Sequence, residues 1–275
     1  MKWKGRRAST NVEDRRGMSS KGIIGGGIGG IILLLVITFL GGNPAELLNQ
    51  LGGGTSTNTT NTEYVGTQEE EELAEFVSVV LADTEKVWTK LFKEEGLVYE
   101  EPTLVIYNDS VQSACGTAGS SVGPFYCPGD HKLYIDLSFY NELKREFQAP
   151  GDFAMAYVVA HEVGHHVQTL LETDKNQQRT SSNDYSVRFE LQADYLAGVW
   201  AHHAESMDLL EEGDLEEAIT AASAVGDDTI QKRAQGYVVP ESFTHGSSEQ
   251  RMRWFKKGFN SGNLEDGDTF NVKNP

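Results

Sequence analysis

The sequence predicts an α+β fold, in which a mainly helical domain with a small β-sheet is preceded by one N-terminal transmembrane helix. Three features of the sequence predict this fold. An uncharged, Gly-rich apolar stretch covers residues 22–45, two short segments with strand patterns follow near residues 103 and 133, and helical patterns dominate from residue 151 onward. At 275 residues, the chain is long enough for one large domain with its own core.

Charge divides the chain into a basic start and an acidic body. The chain has 23 Lys and Arg residues against 41 Asp and Glu residues, and this net charge of −18 argues against nucleic acid as a partner. Residues 1–22 carry seven basic and two acidic side chains, a charge of +5, so the remaining residues carry −23. The first 22 residues are therefore predicted to be a basic tail separate from the body.

The apolar stretch is predicted to be a membrane anchor over residues 23–42, because about 20 apolar residues suffice to span a bilayer. The alternative is a cleaved signal peptide, since a basic region precedes an apolar run. We favour the anchor, because no small-x-small cleavage site follows Leu40. The positive-inside rule then predicts a single-pass protein of the cell (inner) membrane, with residues 1–22 cytoplasmic and the domain periplasmic or extracellular.

The elements of the body follow in order along the chain. A flexible Gly/Thr/Asn-rich linker is predicted at 43–67, followed by a helix at 68–95 with acidic residues in its first turn. "PTLVIYND" and "KLYIDLSFY" have strand patterns, and the Gly/Ser/Pro-rich segment between them is predicted to be a loop. Further helices, each opened by an Asp or Ser that can cap it, are predicted at 152–172, 186–206, 214–224, 227–234 and 247–258. The domain is thus expected to cover residues 68–275.

The chain has two cysteines, Cys115 and Cys127, which lie close together in the sequence. If the body lies outside the cytoplasm, its oxidising surroundings favour a disulfide between them. Two reduced thiols and a metal-binding pair are the alternatives, although the spacing is not that of a Cys-x-x-Cys metal motif.

The segment "AHEVGHH" carries the main chemical signal of the sequence. On a helix, His161 and His165 lie one turn apart on the same face, as two imidazoles binding one tetrahedral zinc ion require. Glu162 lies beside them, where it can act as a general base on a zinc-bound water. The alternative, a histidine-rich helix without a metal, would place polar side chains among Ala, Val and Gly without partners.

Neighbouring positions exclude one subclass of zinc peptidases. The metzincin pattern continues with a Gly and a third His, and those positions are occupied here by Gln168 and Leu171. His166 projects from another side of the helix, so we expect it to pack or to support a ligand. His202 and His203 are expected to cap or decorate the end of a later helix.

A third ligand is predicted from "SVRFELQADYLAGVWAHH". Glu190 and Asp194 lie four residues apart on one helical face, which continues through small alanines and can therefore approach the first helix closely. We assign Glu190 as the third zinc ligand, and we expect Asp194 to accept a hydrogen bond from a ligand histidine without touching the metal. An exposed acidic helix face is the alternative. Two His and one Glu leave a fourth position for water, which is typical of a catalytic site.

This ligand set predicts hydrolysis by a metal-activated water. Zinc lowers the pKa of the water and polarises the scissile carbonyl, while Glu162 takes the proton and delivers it to the leaving amine. His245, which precedes a predicted helix, is the candidate for stabilising the oxyanion, and a structural loop histidine is its alternative. Arg251 is a second candidate for the same role.

Five ordered motifs carry a family resemblance: "GPFYCPGDHKLYIDLSFY", "GDFAMAYVVAHEVGHHVQ", "ELQADYLAGVWA", "GDDTIQKRAQG" and "SFTHGSSEQRMRWF". Together they resemble the bacterial neutral zinc metallopeptidases that are anchored by one N-terminal helix. The resemblance implies a zincin-like fold of the HExxH, gluzincin-like type, zinc at His161 and His165, and a catalytic Glu162. The Glu-x-x-Ala-Asp signature is similar to that of membrane-associated gluzincins and supports Glu190 as a ligand. Members commonly carry Cys where this chain has Tyr195.

The leading hypothesis is thus a membrane-tethered, Zn²⁺-dependent endopeptidase that cleaves peptide or protein substrates. "KLYIDL" is expected to be an edge strand that pairs with extended substrate backbone. A non-catalytic, zinc-containing scaffold or binding protein is the alternative from a different class, although such a protein has no use for Glu162 as a base. A cell-wall peptide amidase would share all the catalytic residues.

Overall fold

The computed structural model describes residues 1–17, 64–173 and 182–275. The chain divides into two compact units, one formed by Met1–Arg15 with Gly66–Pro275 and the other by Arg16–Val65. The predicted anchor at 23–42 and most of the predicted linker lie outside the described residues. Within the described part of the chain, no helix is both long enough and apolar enough to cross a membrane.

The larger unit contains a small sheet and a set of packed helices. Its four-stranded sheet has the order β1-β2-β6-β5, with β1, β2 and β6 parallel and β5 antiparallel to β6. A separate hairpin pairs β3 with β4. The strands are β1 Val12–Asp14, β2 Thr103–Tyr107, β3 Ser110–Ser113, β4 Gly116–Gly119, β5 Phe125–Cys127 and β6 Lys132–Asp136.

The order of the strands shows that the segment predicted to be an edge strand lies inside the sheet. "KLYIDL" corresponds to β6, which is an inner strand, because β2 pairs along one of its edges and β5 along the other. Its burial fits this position, since Leu133, Tyr134 and Ile135 are almost completely buried. The edge strand beside it is β5, which lies in the segment predicted to be a loop. Cys115 and Cys127 form a disulfide that joins the end of this strand to the β3–β4 hairpin.

Residues 1–15, which the sequence predicted to be a tail apart from the body, belong to the same compact unit as the helices. Val12 of β1 pairs with Leu104 of β2. The Arg6 guanidinium binds the buried carboxylate of Asp83 with two hydrogen bonds of 2.6 Å. The basic side chains at the start of the chain thus neutralise acidic side chains of the body, which explains why this charged segment can pack.

The helices confirm most of the helical predictions. They are α1 Gln68–Glu94, α2 Ser138–Arg145, α3 Asp152–Leu170, α4 Asn183–Ser206, α5 Asp214–Ala224, α6 Asp227–Gln235 and α7 Ser248–Ser261. Helix α3 is almost entirely buried and packs against α1, α4 and α5. Helices α4 and α7 cross closely at two glycines, since a Cβ atom at Gly258 would lie 1.9 Å from the Tyr195 carbonyl oxygen. The observed architecture is a mainly helical α+β domain with a small sheet.

Candidate active site

Helices α3 and α4 bring together the three side chains predicted to bind a metal. The Glu190 Oε2 atom lies 3.1 Å from His161 Nε2 and 3.4 Å from His165 Nε2, and these three potential ligand atoms lie within 4.8 Å of one another. The close approach depends on Gly164, because a Cβ atom there would lie 2.9 Å from the Ala193 carbonyl oxygen of α4. Such a convergence of two imidazoles and a carboxylate suits one tetrahedral metal ion.

Each of the two histidines has a partner that fixes its ring. His161 Nδ1 lies 2.8 Å from Asp194 Oδ1, and His165 Nδ1 lies 2.8 Å from Gln168 Oε1. The Gln168 amide in turn donates to the Phe189 carbonyl at 2.8 Å. Because both Nδ1 atoms are engaged, both Nε2 atoms are left to face Glu190, an arrangement typical of the outer shell of metal sites.

Asp194 occupies the position predicted for it, whereas sequence reasoning missed the role of Gln168. The signal for Gln168 was its spacing of three residues from His165, which places both side chains on one face of α3. The sequence analysis used Gln168 only to exclude the metzincin pattern and did not predict that it would contact His165.

Arg251 belongs to a buried network behind His161. Its Nε atom lies 2.8 Å from Asp194 Oδ2, and its Nη2 atom lies 3.0 Å from Asp194 Oδ1 and 3.1 Å from the Tyr157 hydroxyl. The Tyr157 hydroxyl also donates to Asp194 at 2.5 Å. The guanidinium of Arg251 is therefore engaged with the carboxylate that holds His161, and sequence reasoning did not foresee this contact or that of Tyr157.

His245 lies in the same cleft, and its side chain is 52 % exposed. Its loop is held by Asp227, whose Oδ2 atom accepts backbone hydrogen bonds from Thr244 and His245 at 2.7 Å and from Gly246 at 3.1 Å. The other Asp227 oxygen lies 3.4 Å from His245 Nδ1, and this interaction raises the pKa of His245 despite partial burial. His245 is thus a positioned, accessible hydrogen-bond donor that favours its protonated form.

The electrostatics of the cluster favour a bound cation. Burial opposes charge on Asp194, but Arg251 and His161 hold its pKa at about 2. Burial likewise opposes charge on His161, yet Asp194 and Glu190 raise its pKa to about 10. The pKa of Glu190 lies well below its ordinary value, because the two neighbouring imidazoles outweigh burial. A divalent cation can therefore replace imidazole protons beside carboxylates that remain ionised.

Glu162 lies next to this cluster and lines the same cleft. Its exposed fraction is 7 %, and burial raises the pKa of its carboxyl group. The cleft has a volume of about 560 Å³ and is open to solvent. Its lining combines the clustered polar side chains with apolar side chains. The arrangement can therefore hold a metal ion, a water-activating carboxylate and part of an extended ligand in one place.

His166, His202 and His203 make contacts away from the cluster. His166 is completely buried, with Nε2 2.6 Å from the Glu100 carbonyl oxygen and Nδ1 3.0 Å from the Tyr126 hydroxyl. Burial lowers its pKa to about 4. At the end of α4, His202 contacts the Phe259 carbonyl and His203 contacts the Gly262 carbonyl. The hydroxyl of Tyr195 donates to the Asn263 carbonyl oxygen at 2.7 Å, a contact that a cysteine at this position would not make.

Comparisons with known proteins identify the family of the chain. A family model described as "Putative neutral zinc metallopeptidase" matches residues 1–270. The chain is 46 % identical to the uncharacterized protein YpfJ of Escherichia coli K12 over 284 residues, which covers 98 % of this chain and 99 % of that protein. It is 42 % identical over 187 residues to the uncharacterized protein Rv2575 of Mycobacterium tuberculosis H37Rv, covering 63 % of this chain and 64 % of that protein. No solved structure gives a significant match.

Proposed function

Because the chain belongs to the neutral zinc metallopeptidase family, we propose that it is a Zn²⁺-dependent endopeptidase of the HExxH, gluzincin-like type. The observation that carries this proposal is the convergence of His161, His165 and Glu190 beside Glu162 in an open cleft. Its substrates would be peptides or proteins.

The donor set fits zinc. Two imidazole nitrogens and one carboxylate oxygen leave a fourth position free, and Asp194 and Gln168 keep both rings in the orientation that a metal ligand needs. His161, His165 and Glu190 would hold the ion. When bound, Zn²⁺ supplies Lewis acidity that makes water a nucleophile at neutral pH and polarises the scissile carbonyl.

The protein's own side chains then carry the protons and stabilise charge. Glu162 takes the proton of the attacking water and passes it to the leaving nitrogen, a role that suits a carboxylate whose pKa is raised by burial. His245 donates a hydrogen bond to the developing oxyanion, because it is accessible and favours its protonated form. Arg251 acts as a positioning residue, since its guanidinium is engaged with Asp194.

The substrate backbone is proposed to pair with β5. This strand is the outer member of the sheet and borders the cleft through Phe125 and Tyr126. A peptide that adds to this edge would extend the sheet by main-chain hydrogen bonds. The pairing with substrate backbone that was expected of "KLYIDL" is thus assigned to β5.

Membrane tethering through residues 23–42 is a separate part of the proposal. Support for it comes from the composition of the stretch, which is uncharged and long enough to cross a bilayer. The disulfide between Cys115 and Cys127 supports a periplasmic or extracellular domain, because such bonds persist in oxidising compartments.

The test of the peptidase proposal is cleavage of a peptide library, read by mass spectrometry, by the full chain in detergent. The full chain is required, because a fragment that begins after the apolar stretch would lack β1. The control is Glu162→Gln, which keeps the size of the side chain and removes the base. We expect cleavage by the wild type and a loss of at least 100-fold in the variant at equal zinc content.

Cleavage that is equally fast in both proteins would contradict the role of Glu162. If both proteins bind zinc and neither cleaves, a non-catalytic zinc scaffold explains the site better. Release of peptides from cell-wall fragments, without cleavage of the library, would favour the amidase alternative.

A further inference from the structure

An apolar surface lines the same cleft as the polar cluster. It is contributed by four parts of the fold: the edge strand β5, the α2 region, helix α3 and the α5–α6 region. The side chains are Phe125, Phe139, Phe147, Val158, Val225 and Ile230. The three phenylalanines are half-buried, and Ile230 is 39 % exposed. A folded domain would normally cover such side chains, so their position inside an open cleft indicates a binding surface.

The apolar surface is continuous with the catalytic residues. Val158 lies on α3 three residues before His161 and four before Glu162, so it shares their face of the helix. Phe139 and Phe147, whose ring centroids lie 6.2 Å apart, line the same cleft as Val158. A side chain that enters this space therefore belongs to a substrate residue at or next to the bond being cleaved.

The size and the lining of the cleft select the kind of side chain. The whole cleft of about 560 Å³ can take an aromatic side chain together with neighbouring backbone. Two opposite charges lie near the apolar side chains: Glu142 lines the cleft, and the Arg233 guanidinium lies 5.5 Å from the centre of the Phe147 ring. Because these two charges oppose each other, the apolar side chains of the lining decide which substrate side chain fits.

We propose that the apolar surface of the cleft is a specificity pocket that selects peptides with a large apolar side chain, such as Phe, Leu or Met, beside the scissile bond. This inference rests on the proposed peptidase function and names its substrate class. The pocket is the space bounded by the six apolar side chains named above. Small side chains are poor substrates at the same position.

The experiment uses peptides that share one sequence and differ only in the residue beside the cleavage site, namely Phe, Leu, Ala, Glu or Lys. The full-chain, zinc-loaded protein is compared with Ile230→Lys, which places a cation at the pocket rim. The matched control is Val98→Lys, since Val98 is 83 % exposed and does not line the cleft. The measured quantity is kcat/KM for each peptide.

We expect the wild type and Val98→Lys to prefer the Phe peptide over the Ala peptide by about 10- to 100-fold. In Ile230→Lys this ratio falls at least fivefold, and cleavage of the Glu peptide rises. Equal rates for all peptides, a preference for the Lys peptide, or an unchanged ratio in Ile230→Lys would overturn the pocket assignment.

Failure of the peptidase proposal is distinguished by a binding measurement. If no peptide is cleaved, the affinities of the Phe and Ala peptides for zinc-loaded Glu162→Gln are measured by fluorescence anisotropy. Tighter binding of the Phe peptide than of the Ala peptide supports the pocket without the peptidase activity, provided that this difference shrinks when Ile230→Lys is added to Glu162→Gln. Equal affinities overturn the pocket as well.

Discussion

The two histidines of the cluster show how neighbouring side chains fix the orientation of single residues. His161 is held by Asp194, and His165 is held by Gln168, so each ring presents Nε2 to the same point. Asp194 is itself held by Arg251 and Tyr157. A ligand ring that is fixed by two layers of contacts loses little freedom when it binds an ion, which favours tight binding.

The sequence predicted this cluster well because its spacing rules are local. His161, Glu162 and His165 follow from one helical turn, and Glu190 with Asp194 follow from another. Contacts across the fold were not accessible in this way. The pairing of Arg251 with Asp194 joins residues 57 positions apart, so it depends on how α4 and α7 pack.

The pH dependence of activity tests the role of His245. Asp227 raises the pKa of His245 by a hydrogen bond, Glu190 raises it further, and burial and Arg251 oppose both. Because the protonated ring is the proposed oxyanion donor, activity should fall as pH rises through the pKa of His245. Asp227→Asn removes the charge but can still accept the backbone hydrogen bonds, so the alkaline limb of kcat/KM should move to lower pH.

The control for this profile is His245→Gln, which should abolish that limb and lower kcat about 10- to 1,000-fold. An alkaline limb that stays in place in both variants would show that another group titrates there. His245 would then be a structural loop residue.

At the scale of elements, helices were predicted closely and short strands were not. The helix at 214–224 has the predicted bounds, because its apolar positions recur at helical spacing. The strands of residues 110–127 are three or four residues long, and β4 has the sequence Gly-Thr-Ala-Gly. Each pairs with the next strand along the chain, β3 with β4 and β5 with β6, but strands this short show no clear alternation of apolar and polar residues that would identify them.

Helix starts were predicted only partly in position and in mechanism. Ser247 caps α7 with its side chain, as expected, whereas α4 begins three residues before its predicted start and is capped by Ser182. Helices α3, α5 and α6 instead begin after glycines, and the aspartates that follow occupy their first turns. These aspartates act on the helix dipole rather than as caps.

The contact between α3 and α4 can be tested at Gly164. Helix propensity alone predicts that Gly164→Ala stabilises α3 by about 0.5–1 kcal/mol. The added Cβ would lie 2.9 Å from the Ala193 carbonyl oxygen, so we expect the variant to lose about 1–3 kcal/mol in the free energy of unfolding. Because α4 carries Glu190, zinc affinity should fall as well.

The measurements are urea unfolding without zinc and competition of the protein with a chelator. A variant that is more stable than the wild type and binds zinc equally well would show that the two helices are not in close contact at this glycine.

At the scale of the whole molecule, the position of residues 1–15 constrains the membrane topology. These residues form β1 and pair Arg6 with Asp83 inside the same compact unit as the helices. A single crossing between residue 15 and residue 66 would put β1 and its partner strand on opposite sides of the membrane. The pairing of β1 with β2 and the predicted cytoplasmic tail therefore make opposite predictions about the side of the membrane on which residues 1–15 lie.

Cysteine labelling in intact cells tests this topology. Thr10 and Val98 are exposed, and both native cysteines are in a disulfide, so Thr10→Cys and Val98→Cys each introduce one reactive thiol. We expect a membrane-impermeant maleimide, admitted to the outer face of the cell membrane, to label both variants equally. The control is labelling after the cells are lysed. Labelling of Val98→Cys alone would show that the start of the chain lies on the cytoplasmic side.

The central claim is that His161, His165 and Glu190 form the metal centre of the protein. The most direct measurement is zinc-edge X-ray absorption of the purified full chain, with Glu190→Ala as the comparison. We expect one zinc ion per chain with imidazole nitrogen and carboxylate oxygen ligands at about 2.0–2.2 Å, and a changed, weakly held shell in the variant. Absence of stoichiometric zinc, sulfur ligands, or an identical shell in Glu190→Ala would contradict the claim.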